Sequence, residues 1–195
     1  MPEERIGLFG GTFDPVHLGH LQIAEAAWRC GSLHRIFFVP CRQSPWKALD
    51  AAAEPQHRLA MLEMALTDLP WAEVSRMELD RPPPSFSWQT AESFAERFPP
   101  PRCELCWILG ADQWKTIDRW ARASRLASLV TFLVVPRAGY DYFPREGYRA
   151  QSVPCRIDLT STEVRESLRD GRSVDHLLPG AVADYIRKQG LYSSG

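Results

Sequence analysis

The sequence predicts an α/β fold in which helices cover both faces of a mostly parallel sheet. Three observations carry that prediction. Continuous apolar runs recur along the chain, "RIGLFG" at 5–10, "RIFFVP" at 35–40, "LCWILG" at 105–110 and "LVTFLVVP" at 129–136; strands buried on both faces read in this way, without alternation. Segments with apolar residues at helical spacing lie between them. The first run ends in Gly10 and Gly11 where a strand hands over to a helix. Strands alternating with helices give right-handed crossovers and a doubly wound sheet. The expectation is one Rossmann-like domain over residues 1–195, closed by C-terminal helices.

The elements follow in order. "HLGHLQIAEAAWRC" repeats apolar residues through Leu18, Leu21, Ala24 and Ala27, with Gly31 placed to stop the helix. After the second strand comes a loop with Pro40, Ser44 and Pro45. A helix from about 56 to 66 carries Leu59, Leu62, Met64 and Leu66. A short strand around 73–79 and a helix around 87–97 precede the strand at 105–110. "ADQWKTIDRWARASRLA" reads as one or two short helices, and a polar, aromatic loop is expected from Arg137 to about Pro154. Two helices close the chain, opening at "TSTEVRESLRDG" and "PGAVADYIRKQG". The proline runs at 82–84 and 99–101 read as stiff loops rather than domain boundaries.

At 195 residues the chain is long enough for one well-buried domain and short for two. Its net charge of −1 argues against a general nucleic-acid or membrane binder, which would carry a basic excess. It leaves room for a local positive pocket. No apolar run approaches a membrane span, and "MPEERIGLFG" lacks the basic start of a signal peptide, so the cytoplasm is expected. The five cysteines show no repeated spacing. Cys103 and Cys106 form a C-x-x-C on a strand, where residues three apart point to opposite faces, so they are read as buried reduced thiols rather than a metal or redox site.

"LFGGTFDPVHLGHL" (8–21) is the first stretch with chemistry in it. If 5–10 is the first strand, Gly10, Gly11 and Thr12 lie at its carboxyl end, where a doubly wound sheet binds ligands. Glycines let the backbone approach closely, and free amides with the helix dipole favour anions. His17 and His20 are one turn apart, so both imidazoles project from one face towards that seat. Taken singly, each histidine is better read as a cap or a half-buried core residue; the block as a whole suits a phosphate. A zinc pair lacks a third ligand unless Asp14 served. Both the G-x-G-x-x-G and the Walker A patterns are absent.

"LTSTEVR" (159–165) puts Thr160, Ser161 and Thr162 at a helix start, with Thr160 and Glu163 in capping-box spacing and Arg165 one turn in. By itself this is a well-capped helix.

"GTFDPVHLGH" resembles the signature of the nucleotidyltransferase superfamily with the H-x-G-H motif, which transfers AMP or CMP from a nucleoside triphosphate. "LTSTEVR" resembles its second motif, I-S-S-T-x-x-R, with Leu159 and Thr160 in place of the first two letters. Within the superfamily the chain is most similar to the bacterial nicotinate-mononucleotide adenylyltransferases, nearly end to end: "GLFGGTFDPVHLGHL", "ELDRPPPSFSWQT" (78–90), "LGADQW" (109–114) and "LLPGAVADYIRKQGLY" (177–192) all match. Pro83 stands where a glycine is common, Phe86 replaces a tyrosine, and Trp46 stands where histidine is frequent.

The resemblance implies transfer of AMP from ATP to nicotinate mononucleotide. His17, His20 and Lys47 would do the catalytic work. Gly10, Gly11, Thr12, Phe13, Gly110, Asp112, Ser161, Thr162 and Arg165 would bind ATP, with Asp112 on a ribose hydroxyl or helping to seat magnesium. Ser87, Trp88, Trp120 and Ala121 would bind the acceptor: a flat cationic ring wants an aromatic face, for which Trp120 and Trp88 are the candidates, and in the family the residue matching Trp120 stacks on the ring while amides matching Trp88 and Ala121 grip the carboxylate. Mg2+ would be held mainly by ATP phosphates, with no protein metal cage. The expected partners are these small molecules, with neither nucleic acid nor membrane, and a homo-oligomer is left open. Phosphopantetheine adenylyltransferase, a nicotinamide-preferring enzyme and a non-catalytic nucleotide sensor are the alternatives.

Overall fold

The computed structural model of the protein describes residues 2–45 and 52–193. Six strands form one sheet: β1 (Glu4–Gly11), β2 (Arg35–Pro40), β3 (Ala72–Val74), β4 (Cys103–Gly110), β5 (Val130–Val135) and β6 (Ala150–Ser152). Their spatial order is β3-β2-β1-β4-β5-β6, and every neighbouring pair is parallel. The helices are α1 (Leu18–Cys30), α2 (Pro55–Leu66), α3 (Ser87–Arg97), α4 (Ala111–Trp114), α5 (Ala123–Leu129), α6 (Ser161–Arg169) and α7 (Gly180–Gln189).

Strand alternation sorts the apolar residues into two cores. Ile6, Leu8, Leu105, Trp107, Phe132 and Val134 pack on one face with Ala91 and Phe94 of α3 and Leu126 of α5. Phe9, Phe38, Cys106, Ile108, Leu133 and Val135 pack on the other, under Ala24 and Ala27 of α1, Met61 and Leu62 of α2, Val164 of α6 and Val182 of α7. Cys103 and Cys106 fall in opposite cores as free thiols, and burial pushes them up to about 11 and about 12.

The chain leaves β3 at one edge and returns as β4 on the far side of β1, so the winding reverses between β1 and β4. In this topology a crevice opens at the carboxyl ends of those two strands. Gly10 and Gly11 end one and Gly110 ends the other.

Three local expectations change, and one, the two short helices after β4, gains detail. A sixth strand, β6, lies inside the stretch expected to be loop; it pairs with β5 through Phe132, Leu133 and Val134. Its three residues, Ala150, Gln151 and Ser152, carry no apolar run to announce it. The strand expected at 73–79 is only Ala72–Val74, because the chain turns to send Glu78 inward, where Thr90 Oγ1 donates to it at 2.6 Å. The segment after β4 breaks into α4, a 3-10 turn at Ile117–Arg119 and α5, with Trp120 extended between them. At the end of α1, Gly31 has φ −81° and Ser32 takes the left-handed conformation at φ +46°. Gly31 is required by space instead: a Cβ there would lie 2.7 Å from the Ala27 carbonyl oxygen.

Candidate active site

The crevice holds a cleft of about 380 Å³. Gly10, Gly11, Thr12, Phe13, His17 and His20 line it from the β1–α1 connection, Gly110, Asp112, Trp120 and Ala121 from beyond β4, and Ser161, Thr162 and Arg165 from α6. Ser87 lines it from the start of α3. The two motifs therefore meet around one cavity.

His17 is the N-cap of α1, a place normally taken by Ser, Thr, Asp or Asn. Its Nδ1 accepts the His20 N–H at 3.3 Å, and His20 Nδ1 accepts the His17 N–H at 3.2 Å, a reciprocal capping box made of two imidazoles. The rings stack with centroids 3.7 Å apart. Because each Nδ1 accepts, each neutral ring carries its proton on Nε2. His17 is 3% exposed, and burial, helped by the charge of Arg137, lowers its pKa to about 4. The glycine between the histidines leaves room for this pair: a Cβ on Gly19 would lie 3.0 Å from His17 Nδ1 and 2.8 Å from Ile157 Cγ2.

Phe13 has φ +50° and is 1% exposed, edge-on to Phe9 and 5.0 Å from the His20 ring centroid. Its ring lies over Gly11, where a Cβ would meet Phe13 Cζ at 3.0 Å. With the ring in the core, what Phe13 offers a ligand is backbone.

At the second motif, Thr160 Oγ1 accepts the Glu163 N–H at 3.1 Å, the Thr160 half of the expected box. Ser161 Oγ donates to the Pro15 carbonyl at 3.0 Å. Arg165 Nη1 donates to the Asp14 carbonyl at 2.7 Å, and Nη2 to Thr162 Oγ1 at 3.2 Å. These bonds tie the α6 N-terminus to the loop that leads into α1.

Across the cleft, Asp112 Oδ2 lies 3.7 Å from Arg137 Nη1, while its Oδ1 is buried without a hydrogen-bond partner among the described residues. A Cβ on Gly110 would collide with that oxygen. Among the described residues no three His, Cys, Asp or Glu side chains converge as a metal site.

On the acceptor side, Trp120 and Ala121 line the cleft and Trp88 does not. The Trp88 ring is covered by the Arg122 guanidinium at 4.2 Å, so ring stacking there is already taken. Trp88 is the second residue of α3, whose N-cap, Phe86, supplies no side-chain cap; first-turn amides of a helix have no intrahelical acceptor. Trp114 is core, fully buried, its Nε1 donating to the Phe143 carbonyl at 2.8 Å. Lys47, with Trp46, lies outside the described residues.

Sequence reasoning missed three residues around the site. Arg137 follows β5 at the same sheet edge and lines the cleft; its place just after an apolar run was the available signal. Glu78 also lines it, its carboxyl pushed up by burial. Arg58 is fully buried and donates to the carbonyls of Thr12 at 2.7 Å, Cys41 at 2.9 Å and Ala53 at 3.2 Å. It shares the inner helix face with Leu62 and Leu66, a cation where the pattern asks for leucine.

This fold and this pairing of helix starts define a nucleotidyltransferase, and residues 8–167 match the Cytidylyltransferase-like family model. The chain belongs to that family. Within it, the chain is 41% identical over 191 residues to a Thermus thermophilus protein named "Probable nicotinate-nucleotide adenylyltransferase", covering 96% of this chain and 99% of that one. A protein of the same name from Methylacidiphilum infernorum is 37% identical over 189 residues, covering 96% and 92%. The fold is shared with Plasmodium falciparum nicotinic acid mononucleotide adenylyltransferase complexed with NaAD, at a TM-score of 0.78, 20% identity and 97% of both chains.

Proposed function

We propose that this chain transfers the adenylyl group of ATP to nicotinate mononucleotide, giving nicotinate adenine dinucleotide and diphosphate. The observation that carries adenylyl transfer is the joining of two helix starts around one cleft, through Ser161 to Pro15 and Arg165 to Asp14. The choice of acceptor rests on the relatives named for it at 37% and 41% identity.

The acceptor's phosphate oxygen is already an anion when it attacks the α-phosphorus in line, so no general base is needed. Catalysis is positioning plus charge stabilisation. His20 donates its Nε2–H to an α-phosphate oxygen, while neutral His17 holds the His20 ring by stacking and by the shared cap. The α6 N-terminus and Arg165 take the β- and γ-phosphates, as the helix dipole and a forked cation favour. Arg137 supplies further positive charge to the cleft.

A divalent cation, in this reading Mg2+, would accompany the triphosphate and supply charge neutralisation, held mainly by phosphate oxygens and water. Asp112 Oδ1, without a hydrogen-bond partner among the described residues, fits a single protein contact to it, or to a ribose hydroxyl.

Trp120 offers a face to the cationic pyridinium, a contact of about 0.5–2 kcal/mol. Amides at Trp88 and Ala121 point selectivity towards the acid, because a carboxamide would present its own NH₂ to a donor. Lys47 is assigned to the acceptor phosphate or the leaving diphosphate, and Ser87 to the acceptor. The reading puts the chain in the cytoplasm; among the described residues no helix is long and apolar enough to cross a membrane.

The test is purified protein with ATP and magnesium, offered nicotinate mononucleotide, nicotinamide mononucleotide or phosphopantetheine in parallel, with diphosphate release as the readout. Faster release with nicotinate mononucleotide supports the assignment. Release only with nicotinamide mononucleotide or phosphopantetheine reassigns the acceptor, and no release with any of them removes the reading.

A further inference from the structure

Behind the cleft, outside its lining, lies a buried carboxylate with an unusual set of partners. Asp14 is 4% exposed. Its Oδ2 accepts the Ala52 N–H at 2.7 Å, and its Oδ1 accepts the Ala53 N–H at 3.1 Å. The same Oδ1 accepts the phenolic O–H of Tyr192 at 2.6 Å, across 178 residues. Arg165 Nη1 approaches Oδ2 to 4.0 Å while donating to the Asp14 carbonyl. Three distant segments thus hold one residue of the β1–α1 connection.

The route of the chain to this contact is costly in backbone terms. After α7, Gly190 at φ +62° and Tyr192 at φ +63° both take the left-handed conformation. A bulky side chain rarely does so, and such residues persist where the surroundings fix them. Here the turn brings the hydroxyl back onto Asp14. Burial and the Asp14 charge push the Tyr192 hydroxyl far above its ordinary range, so it keeps its proton and remains a donor.

We propose that Tyr192 is a positioning residue for the triphosphate end of the site: its hydroxyl locks Asp14, and through Asp14 it holds the β1–α1 phosphate loop in register with Arg165. Arg58 braces the same loop by donating to the Thr12 carbonyl, and holds the segment whose amides grip Asp14 by donating to the Ala53 carbonyl. Tyr192 itself touches no substrate. The inference rests on the reading of this cleft as an ATP site, and is independent of the acceptor.

The comparison is Tyr192→Phe against Tyr185→Phe. Both remove one hydroxyl from the α7 region; that of Tyr185 meets His57 at 2.9 Å, away from the cleft. ATP affinity is measured directly by calorimetry with magnesium and no acceptor, alongside thermal stability and both KM values. Tyr192→Phe is expected to weaken ATP binding about tenfold, the scale of one hydrogen bond to a charged group. KM for the acceptor should stay within twofold, and Tyr185→Phe should leave ATP binding unchanged at a comparable loss of stability. ATP affinity of Tyr192→Phe within twofold of the unaltered protein overturns the inference, as does an equal weakening for both substrates. Normal ATP binding by the unaltered protein without turnover would sink the proposed reaction but leave this comparison standing, whereas absence of ATP binding would sink both.

Discussion

Arg165 in α6 donates through Nη1 to the main-chain carbonyl of Asp14, 151 residues earlier, at 2.7 Å. Arg165 also lines the cleft, so one residue both ties down the β1–α1 connection and borders the proposed triphosphate seat. Replacing Arg165 with Ala should raise KM for ATP by about 10- to 100-fold, the range for hydrogen bonds to a charged partner, with a smaller effect on acceptor KM. Steady-state kinetics with each substrate varied in turn check this; an unchanged ATP KM removes α6 from the site.

His20→Ala should lower kcat by roughly 10²–10³, the scale of losing one preorganised donor. It also removes half of the imidazole capping box, at about 1 kcal/mol of stability. Circular dichroism and urea unfolding separate the two effects. Normal turnover by the folded variant contradicts the role given to its Nε2–H.

Gly19→Ala tests the histidine pair without touching either ring. The added methyl would press on His17 Nδ1 and Ile157 Cγ2, so stability should fall by about 1–3 kcal/mol and kcat should fall with it. Gly180→Ala is the control, since a Cβ there meets nothing within 4 Å. Equal behaviour of the two variants would mean that the close approach at Gly19 is of no consequence.

Much of this was legible in the sequence, because buried parallel strands write continuous apolar runs and amphipathic helices write a periodic pattern. Both segments proposed as phosphate seats stood out because they concentrate glycines, histidines and hydroxyls at helix starts. What stayed hidden is what periodicity does not record. β6 is three residues with no apolar run, paired to its neighbour β5. The Asp14–Tyr192 bond spans the chain, and neither residue breaks a local rule. The stacking of Arg122 on Trp88 turns an expected ring-stacking candidate into a structural pair.

The depressed pKa of His17 makes stability depend on pH in a defined window. Its folded value is about 4 against an ordinary 6.5, so between those values the unfolded chain binds more protons than the folded one. The contribution is fully present above pH 6.5 and is lost as pH falls towards 4. Between pH 7 and pH 5 the loss from this residue is about 2 kcal/mol. Urea unfolding of the unaltered protein and of His17→Asn, which keeps a capping side chain, should differ in pH slope by about this amount; parallel slopes would contradict the burial of a neutral imidazole.

The central claim is that two helix openings, one following β1 and one at Ser161, hold a single triphosphate between them. The most direct measurement is a crystal structure with a non-hydrolysable ATP analogue and magnesium. The expected result has an α-phosphate oxygen within hydrogen-bond distance of His20 Nε2 and the terminal phosphates on the Ser161 and Thr162 amides beside Arg165. A triphosphate bound away from either helix start, or contacting only one of them, would contradict it.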